Sequence, residues 1–251
     1  MNKLKEVLKE DKKYLTTFTV GGYPNIEKSK EIILNLYKSG SDIIEVGLPY
    51  KEALADGEVI KEAYDYVLQN NIKIDDIFNM IKSLKEFNIP IVIMSYYNLI
   101  YCYGIDLFVE KLKESGVDGL IVPDLPLEES LIIKEKLEKE DICYIPLVTR
   151  TSKERIKNIV DIESGFIYAV SVNGTTGGHF NISFEIENYI YQIRKFTNKK
   201  IFLGFGISNI YDVLNIKDNV DGVIIGSKIL KIIRDKGDYK EFINEIKKVL
   251  N

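Results

Sequence analysis

Two acidic side chains in the first quarter of the sequence have the type and spacing for proton-transfer chemistry, and the first is Glu45. It interrupts the apolar run from Ile43 to Leu48, which is typical of a strand buried on both faces. A carboxylate in such a strand costs several kcal/mol unless it is paired or neutralised. Glu45 is therefore expected to be either half of a structural ion pair or a catalytic group with a shifted pKa, and its residue type favours neither.

The second acidic side chain, Asp56, follows eleven residues later, beside Gly57. A glycine next to an acid permits a tight turn, and a helical pattern begins at Glu58. Taken alone, Asp56 is more simply interpreted as a turn residue or a helix N-cap. Beside Glu45, it is also the second member of a carboxylate pair suited to general acid and base catalysis.

The elements that must position this pair are short apolar strands that alternate with amphipathic helices. The connections have ordinary lengths, and no linker marks a second domain. Eight strands are expected, at 14–20, 43–48, 91–94, 119–122, 144–148, 165–171, 200–203 and 221–225. We therefore predict one domain over residues 1–251, an α/β fold of the (β/α)₈ TIM barrel type with a short N-terminal helix. An open doubly wound sheet is the alternative, but the turn after the first strand lacks its G-x-G-x-x-G fingerprint.

The connections carry further predictions. Residues 76–87 have a helical pattern for which Asp75 is the expected N-cap, and Ser95 to Asn98 is expected to be a polar, aromatic loop. Val172 to Asn181 is rich in glycine and suited to be a lid. In a barrel, the active site lies at the carboxyl ends of the strands. The residues expected there are Glu45, Asp56, Met94, Asp124, Tyr168, Gly206 and Gly226.

Glycine-bearing loops follow the last three predicted strands, at 174–178, 204–208 and 226–227. Loops after strands seven and eight, with a short extra helix, form the usual phosphate site of a barrel. Lys228 to Ile233 is predicted to be that helix, with Gly226 and Ser227 at its positive end. Each glycine alone is more simply a turn residue, but three such loops at one end of a barrel favour a phosphate ligand.

The composition excludes several classes of partner. The chain has 251 residues, of which 45% are apolar and 29% charged, with a net charge of −4, and no basic stripe with interleaved aromatics indicates nucleic acid. The N-terminus lacks the apolar centre of a secretory signal, and no apolar run is long enough to span a bilayer. No membrane partner is expected.

Cysteine and histidine are scarce, which limits both the compartment and the chemistry. Cys102 and Cys143 lie far apart in sequence, as expected in a reducing cytoplasm, where we place the protein. These thiols and the single His179 cannot supply a conventional zinc or iron–sulfur site, so no metal is expected. A lone histidine also weakens any scheme of Ser-His or Cys-His catalysis. Proton transfer by carboxylates on a phosphorylated small molecule is the chemistry that remains.

Several spaced motifs, in order along essentially the whole chain, resemble the alpha subunits of tryptophan synthase. They are E-V-G-L-P-Y with A-D-G downstream, M-S-Y-Y-N at 94–98, V-P-D-L-P-L-E-E-S at 122–130, Y-A-V-S-x-x-G-T-T-G at 168–177, G-F-G-I-S at 204–208 and G-S-K-I at 226–229. The resemblance implies a (β/α)₈ barrel lyase that splits indole-3-glycerol phosphate into indole and glyceraldehyde 3-phosphate.

The resemblance also implies roles for individual residues. Glu45 would relay the proton that indole C3 gains and the chain hydroxyl loses, and Asp56 would stabilise positive charge at the indole N–H. The implied substrate contacts are Phe18, Met94, Tyr96, Ile121, Tyr168, Thr176, Phe205 and Ile224, with Tyr168 and Thr176 also holding the aspartate. The implied phosphate contacts are Gly177, Gly206, Gly226 and Ser227. For Ile121 and Ile224, plain barrel core is an equally good interpretation.

Cofactor and partners follow from the same resemblance. No cofactor is expected in this chain, and pyridoxal phosphate is expected in a tryptophan synthase beta subunit that receives the indole for L-tryptophan synthesis within an α2β2 assembly. A free-standing lyase and a weakly catalytic subunit that senses the phosphate ligand remain alternatives. A different phosphate-binding barrel isomerase of the histidine or tryptophan pathways is disfavoured by the arrangement of Glu45 and Asp56.

The sequence departs from the family in the loop that carries Asp56. The family pattern is P-F-S-D-P-x-A-D-G-P, whereas residues 49–58 are P-Y-K-E-A-L-A-D-G-E. Two prolines are lost, which enlarges the conformational freedom of a loop that, in the family, touches the beta subunit. We therefore expect weak activity of the chain alone and a larger dependence on the partner, or altered coupling to it.

Overall fold

The computed structural model describes residues 1–170, 182–204 and 206–250. Residues 171–181, 205 and 251, and the side chains of residues 182–184, lie outside the described part. The predicted lid at 172–181 falls among them. The strands of the described part are β1 (Tyr14–Val20), β2 (Ile43–Gly47), β3 (Ile91–Met94), β4 (Gly119–Ile121), β5 (Cys143–Tyr144), β6 (Leu147–Val148), β7 (Ile167–Val170), β8 (Ile201–Gly204) and β9 (Gly222–Ile225).

The strands form one parallel sheet in the order β5-β4-β3-β2-β1-β9-β8-β7-β6. Its two ends, β5 and β6, are consecutive in the chain and are separated only by Ile145 and Pro146. The predicted fifth strand, 144–148, is therefore divided: its first part pairs with β4 and its second with β7. Proline has no N–H to donate to a ladder, which explains the break. Eight strand positions close the sheet on itself, and the (β/α)₈ barrel is confirmed.

The helices of the described residues surround this sheet and close one end of it. They are α1 (Lys3–Val7), α2 (Ile26–Lys38), α3 (Glu58–Gln69), α4 (Ile74–Lys82), α5 (Tyr97–Tyr103), α6 (Ile105–Ser115), α7 (Leu127–Lys139), α8 (Ile156–Asp161), α9 (Ile182–Arg194), α10 (Ile210–Ile216), α11 (Ser227–Arg234) and α12 (Tyr239–Leu250). The short helix predicted at 228–233 is present as α11, directly after β9.

Two predicted connections are wrong. The helix expected over 76–87 begins at Ile74, because Asp76 accepts a hydrogen bond from the backbone N–H of Lys73 at 2.9 Å and so makes Lys73, rather than Asp75, the N-cap. It ends at Lys82, and a separate 3₁₀ turn covers Lys85–Phe87. The expected loop at 95–98 instead contains the start of α5. Asp124 accepts from the N–H of Tyr97 at 2.8 Å, a cap supplied from a distant loop that local sequence does not reveal.

The core has two layers, and alternate residues of each strand belong to different layers. In β1, Leu15 faces the helices, whereas Tyr14 and Phe18 belong to the cluster that fills the barrel. Near the amino ends of the strands, the ring of Phe202 stacks on Tyr14 at 5.4 Å and on Phe166 at 4.2 Å between ring centroids. This aromatic floor fills the lower barrel, so that a substrate site is left only at the carboxyl end.

Three aspartates at the amino ends of strands share one arrangement, which we call a clamp. Each lies just before a strand, accepts a hydrogen bond from a backbone N–H at the start of the neighbouring strand, and returns one from its own N–H to the same residue. The side-chain bonds run from Leu15 to Asp42 (2.8 Å), from Ile91 to Asp118 (3.0 Å) and from Ile201 to Asp221 (2.7 Å). Each carboxylate also pairs with a cation, from Lys247, Lys3 and Arg194 respectively.

Candidate active site

Glu45 lies in the middle of β2 and points into the barrel, where only 1% of its surface is exposed. No ion pair of the described residues includes it, and its Oε2 atom has no hydrogen-bond partner there. Burial, reinforced by the nearby negative charge of Asp56, raises the pKa of Glu45 to about 8. The described residues therefore do not support the interpretation of Glu45 as half of a structural ion pair. The carboxyl group is largely protonated at neutral pH, so it can donate a proton.

Asp56 lies in the loop between β2 and α3 and is 6% exposed. Its Oδ2 accepts a hydrogen bond from the phenol of Tyr96 at 2.7 Å. Burial raises the pKa of Asp56 to about 6, while the bond from Tyr96 and the charge of Lys61 act in the opposite direction. The N-cap of α3 is Gly57, without a side-chain cap bond, so Asp56 is not the cap that its sequence context suggested. At pH 7 Asp56 is mostly ionised beside a protonated Glu45.

Tyr96 connects the Asp56 loop to the end of β3. Besides donating to Asp56, its phenol oxygen accepts a hydrogen bond from the backbone N–H of Ala55 at 3.0 Å. Its ring stacks on Tyr50 at a centroid distance of 5.2 Å, and the phenol of Tyr50 accepts from the side-chain amide of Asn98 at 3.0 Å. The substrate contact that the resemblance implies for Tyr96 stays a prediction, and the contacts observed hold the loop. Tyr96 therefore supports Asp56 directly.

The apolar residues predicted to contact substrate lie together inside the barrel. They belong to the buried cluster that fills the barrel, called the interior cluster below. They come from four different strands: Phe18 (β1), Met94 (β3), Ile121 (β4) and Ile224 (β9). Tyr168 of β7 belongs to the same cluster, and the burial of its phenol, together with the charges of Glu45 and Asp56, raises its pKa. The structure thus brings these side chains around the carboxylate pair. Membership of this cluster is equally compatible with barrel core for Ile121 and Ile224.

The predicted phosphate end lies at the start of α11. Gly226 is the N-cap of this helix and Ser227 is its first residue, so the free N–H groups of its first turn face the carboxyl end of the barrel. A Cβ atom at Gly226 would lie 3.0 Å from Cβ of Phe18, a close approach that favours glycine. Gly206 has a φ of +82°, in the region that favours glycine as well. Thr176, Gly177 and Phe205 lie outside the described residues.

One residue of the site was missed at the sequence level. Tyr64 of α3 is 1% exposed and belongs to the interior cluster, and its hydroxyl has no hydrogen-bond partner among the described residues. The sequence feature that could have identified it is a hydroxyl-bearing side chain on the apolar face of α3, which also contains Ile60, Ala63 and Val67. Helical spacing identifies that face, but it does not show how far a phenol reaches into the barrel.

The site therefore joins a proton donor, Glu45, an anion, Asp56, an apolar slot and a helix N-terminus suited to phosphate. Among the described residues, no group of three or more His, Cys, Asp or Glu side chains is placed to hold a metal ion, and no helix is long and apolar enough to cross a bilayer. This fold and this site define a (β/α)₈ barrel enzyme of carboxylate acid–base chemistry. The family model of the tryptophan synthase alpha chain matches residues 4–250. The chain belongs to the tryptophan synthase alpha chain family.

Individual relatives agree with the family match. The chain is 43% identical to the tryptophan synthase alpha chain of Thermoanaerobacter sp. (strain X514) over 244 residues, which cover 96% of this chain and 93% of the relative. It is 41% identical to that of Petrotoga mobilis, with 99% and 97% covered. The crystal structure of the alpha subunit from Legionella pneumophila str. Paris superposes with a TM-score of 0.89 at 28% identity, with 100% and 98% covered. The chain is thus a carbon–carbon lyase that cleaves indole-3-glycerol phosphate.

Proposed function

We propose that Glu45 and Asp56 are the catalytic residues of this cleavage. The observation that carries the assignment is the burial of two carboxyl groups at the carboxyl end of one barrel, with neither in an ion pair of the described residues. Burial raises the pKa of both, to about 8 for Glu45 and to about 6 for Asp56. Near neutral pH, one group is ready to donate a proton and the other to attract positive charge. A retro-aldol cleavage that starts by protonating an indole ring needs this division of roles.

The step balances with Glu45 as the proton carrier. Protonated Glu45 gives its proton to C3 of the indole, and Asp56 stabilises the positive charge that then develops at the ring N–H. As the carbon–carbon bond breaks, its electron pair returns to the ring, and the neighbouring hydroxyl becomes the aldehyde of glyceraldehyde 3-phosphate. That hydroxyl gives its proton to Glu45, which restores the starting protonation state. No oxidant, metal or covalent intermediate is needed.

The remaining predicted residues bind the two ends of the substrate, the indole ring and the phosphate. Phe18, Met94, Ile121 and Ile224 surround the indole, with Tyr96 and Tyr168 supporting the carboxylate end of the site. Gly226 and Ser227 at the start of α11, with Gly206, hold the phosphate through backbone N–H groups. Thr176, Gly177 and Phe205 complete these sets as predictions from the resemblance. The assignment is supported by the convergence of strand ends and a helix N-terminus at one end of the barrel.

We also propose that the chain works with a tryptophan synthase beta subunit, in an α2β2 assembly, and passes indole to pyridoxal phosphate bound there. The family match supports this partner. Leu54, only two residues from Asp56, is a large apolar side chain that is 88% exposed and available for a contact. Residues 1–251 are proposed to be one domain, because β1 and β9, from opposite ends of the chain, pair in one sheet.

The proposed location is the cytoplasm. The two cysteines of the chain are free, as expected in that reducing compartment.

Indole release from indole-3-glycerol phosphate tests the assignment. Glu45→Gln keeps the shape of the side chain but cannot carry the proton, so we expect release to fall by about 10²- to 10⁴-fold. Binding of indole-3-propanol phosphate, which has the ring and the phosphate but neither chain hydroxyl, should change little. Glu52→Gln, an exposed carboxylate in the following loop, is the matched control and should release indole normally. Retained turnover in Glu45→Gln would remove Glu45 from the mechanism.

Repeating the assay with a cognate beta subunit tests the partner. Slow release by the chain alone and strong stimulation by the beta subunit are expected, because the Asp56 loop lacks the two prolines of the family pattern. Fast release without stimulation would favour a free-standing lyase instead.

A further inference from the structure

Tyr64 is a buried phenol that the carboxylate mechanism does not use. It lies on the face of α3 that packs on the barrel, and its ring is 1% exposed in the same cluster as Phe18 and Tyr168. Its hydroxyl nevertheless has no hydrogen-bond partner among the described residues. Buried polar groups in native proteins are nearly always paired, so a phenol at this position that is unpaired among the described residues calls for a partner beyond them.

Gly47 shows where this hydroxyl lies. A Cβ atom at Gly47 would be 2.6 Å from the hydroxyl oxygen of Tyr64 and 2.6 Å from Cζ of Phe18, so these two atoms fill the space of a missing side chain. Gly47 is two residues after Glu45 in β2, and residues two apart in a strand face the same side. Gly47 follows Glu45 by about 7 Å along the strand, so the hydroxyl of Tyr64 lies on the face that carries the carboxyl group, towards the open end of the barrel.

The carboxyl group of Glu45 also has an oxygen atom without a hydrogen-bond partner among the described residues. Its Oε2 atom is buried and has no partner in the described part of the chain. In the described part of the chain, two polar atoms on this face of β2 thus lack partners, a donor on Tyr64 and an acceptor on Glu45 once that group has given up its proton. A single hydroxyl can accept one hydrogen bond and donate another, so one alcohol group placed between them would satisfy both atoms.

We propose that Tyr64 is a further catalytic residue, whose phenol donates a hydrogen bond to the substrate hydroxyl that Glu45 deprotonates. This inference rests on the proposed role of Glu45. The hydroxyl oxygen becomes the aldehyde oxygen as the carbon–carbon bond breaks, and it carries extra negative charge while its proton moves to Glu45. A donor held at that oxygen stabilises the transition state more than the ground state. Burial, reinforced by the negative charge of Asp56, raises the pKa of Tyr64, so the phenol keeps its proton and stays a donor.

Tyr64→Phe is the direct test, because it removes only the hydroxyl. We expect kcat for indole release to fall by about 10- to 100-fold, with a smaller change in KM. Indole-3-propanol phosphate lacks the hydroxyl in question, so the variant should bind this compound as tightly as the unmodified chain does. Tyr14→Phe is the matched control: its phenol donates to the backbone of Val7 at 3.0 Å, at the opposite end of the barrel, and kcat should not change.

The possible results separate this inference from the proposed function. An unchanged kcat in Tyr64→Phe, together with an inactive Glu45→Gln, would overturn the role of Tyr64 and leave that of Glu45 standing. Weaker binding of indole-3-propanol phosphate would show that Tyr64 acts through the shape of the site, and would also overturn it. A lowered melting temperature would mean that the hydroxyl has a structural partner, with the same consequence. Turnover retained by Glu45→Gln would overturn both proposals.

Discussion

The phenol of Tyr96 donates to Oδ2 of Asp56 at 2.7 Å, and this bond joins the end of β3 to the loop after β2. The same phenol oxygen accepts from the N–H of Ala55, so one side chain fixes both the carboxylate and the backbone beside it. The loop has no proline between Tyr50 and Glu58. Tyr96, stacked on Tyr50, therefore orders the loop through side-chain contacts.

Removing this bond should shift the pH dependence of catalysis. The bond from Tyr96 lowers the pKa of Asp56, whereas burial raises it to about 6. In Tyr96→Phe the opposing contribution is lost, so the pKa rises and Asp56 is protonated at a higher pH. The acidic limb of kcat/KM for indole release is expected to move up by about one pH unit.

Tyr50→Phe is the control for that measurement, since it keeps the ring stack and loses only a hydroxyl bonded to Asn98. In Tyr50→Phe, the acidic limb of kcat/KM for indole release should not move. A limb that does not move in Tyr96→Phe would show that ionisation of Asp56 does not govern the reaction.

Glu45 should make the fold less stable at alkaline pH. Its folded-state pKa of about 8 lies above its ordinary value of 4.5, so the unfolded chain loses this proton more readily than the folded one. The penalty grows as the pH rises from about 4.5 to about 8 and is constant above that. Its upper bound is roughly 4–5 kcal/mol.

Urea unfolding of the unmodified chain and Glu45→Gln at pH 5 and pH 8.5 measures this penalty. Glutamine has no charge to bury, so the variant should gain stability relative to the unmodified chain at pH 8.5 and much less at pH 5. Equal differences at both values would mean that Glu45 is not kept neutral by the fold.

The clamp at Asp118 should affect stability alone. Its carboxylate accepts from the N–H groups of Ile91 (3.0 Å) and Lys3 (2.8 Å) and also pairs with the ammonium of Lys3. Asp118→Ala leaves these buried donors unpaired, so we expect a loss of about 2–4 kcal/mol in the free energy of unfolding. Indole release should be unchanged, because the clamp lies at the amino ends of the strands.

Glu114→Ala provides the comparison, as it removes a carboxylate from an exposed pair with Lys111 and should cost less than about 1 kcal/mol. If both variants unfold at the same urea concentration, the clamp contributes no more than a surface ion pair.

Restoring one lost proline should stabilise the Asp56 loop. Glu58 is the first residue of α3, a position that favours proline, and Gly57 before it has φ −75° and ψ 167°, which a following proline tolerates. Glu58→Pro is expected to gain about 0.4–1 kcal/mol and to raise indole release by the chain alone.

Glu58→Ala separates the ring from the loss of the carboxylate and should not reproduce the gain. Ala53, where the family has its other proline, is 1% exposed, and a larger ring there would crowd the interior cluster. A less active Glu58→Pro would mean that freedom in this loop assists catalysis.

The barrel was predictable because strands that are buried on both faces form continuous apolar runs, which the sequence shows around Glu45 and Ile91. The protonation states of Glu45 and Asp56 were not predictable, since they depend on burial and on neighbours that are distant in sequence. The start of α5 was missed for the same reason: its cap, Asp124, lies 27 residues after Tyr97. Tyr64 looked like an ordinary core residue until its unpaired hydroxyl could be placed beside Gly47.

The three clamps bear on how the chain folds. Each joins residues only 20 to 27 positions apart, the span of one strand, the one or two helices after it and the start of the next strand. Closing so short a segment loses little chain entropy, so each clamp can form before the barrel does. Two of the three cations differ in this respect: Lys3 meets Asp118 and Lys247 meets Asp42 across 115 and 205 residues. The local bonds would hold separate βα units early, and the ion pairs would join them once the termini arrive.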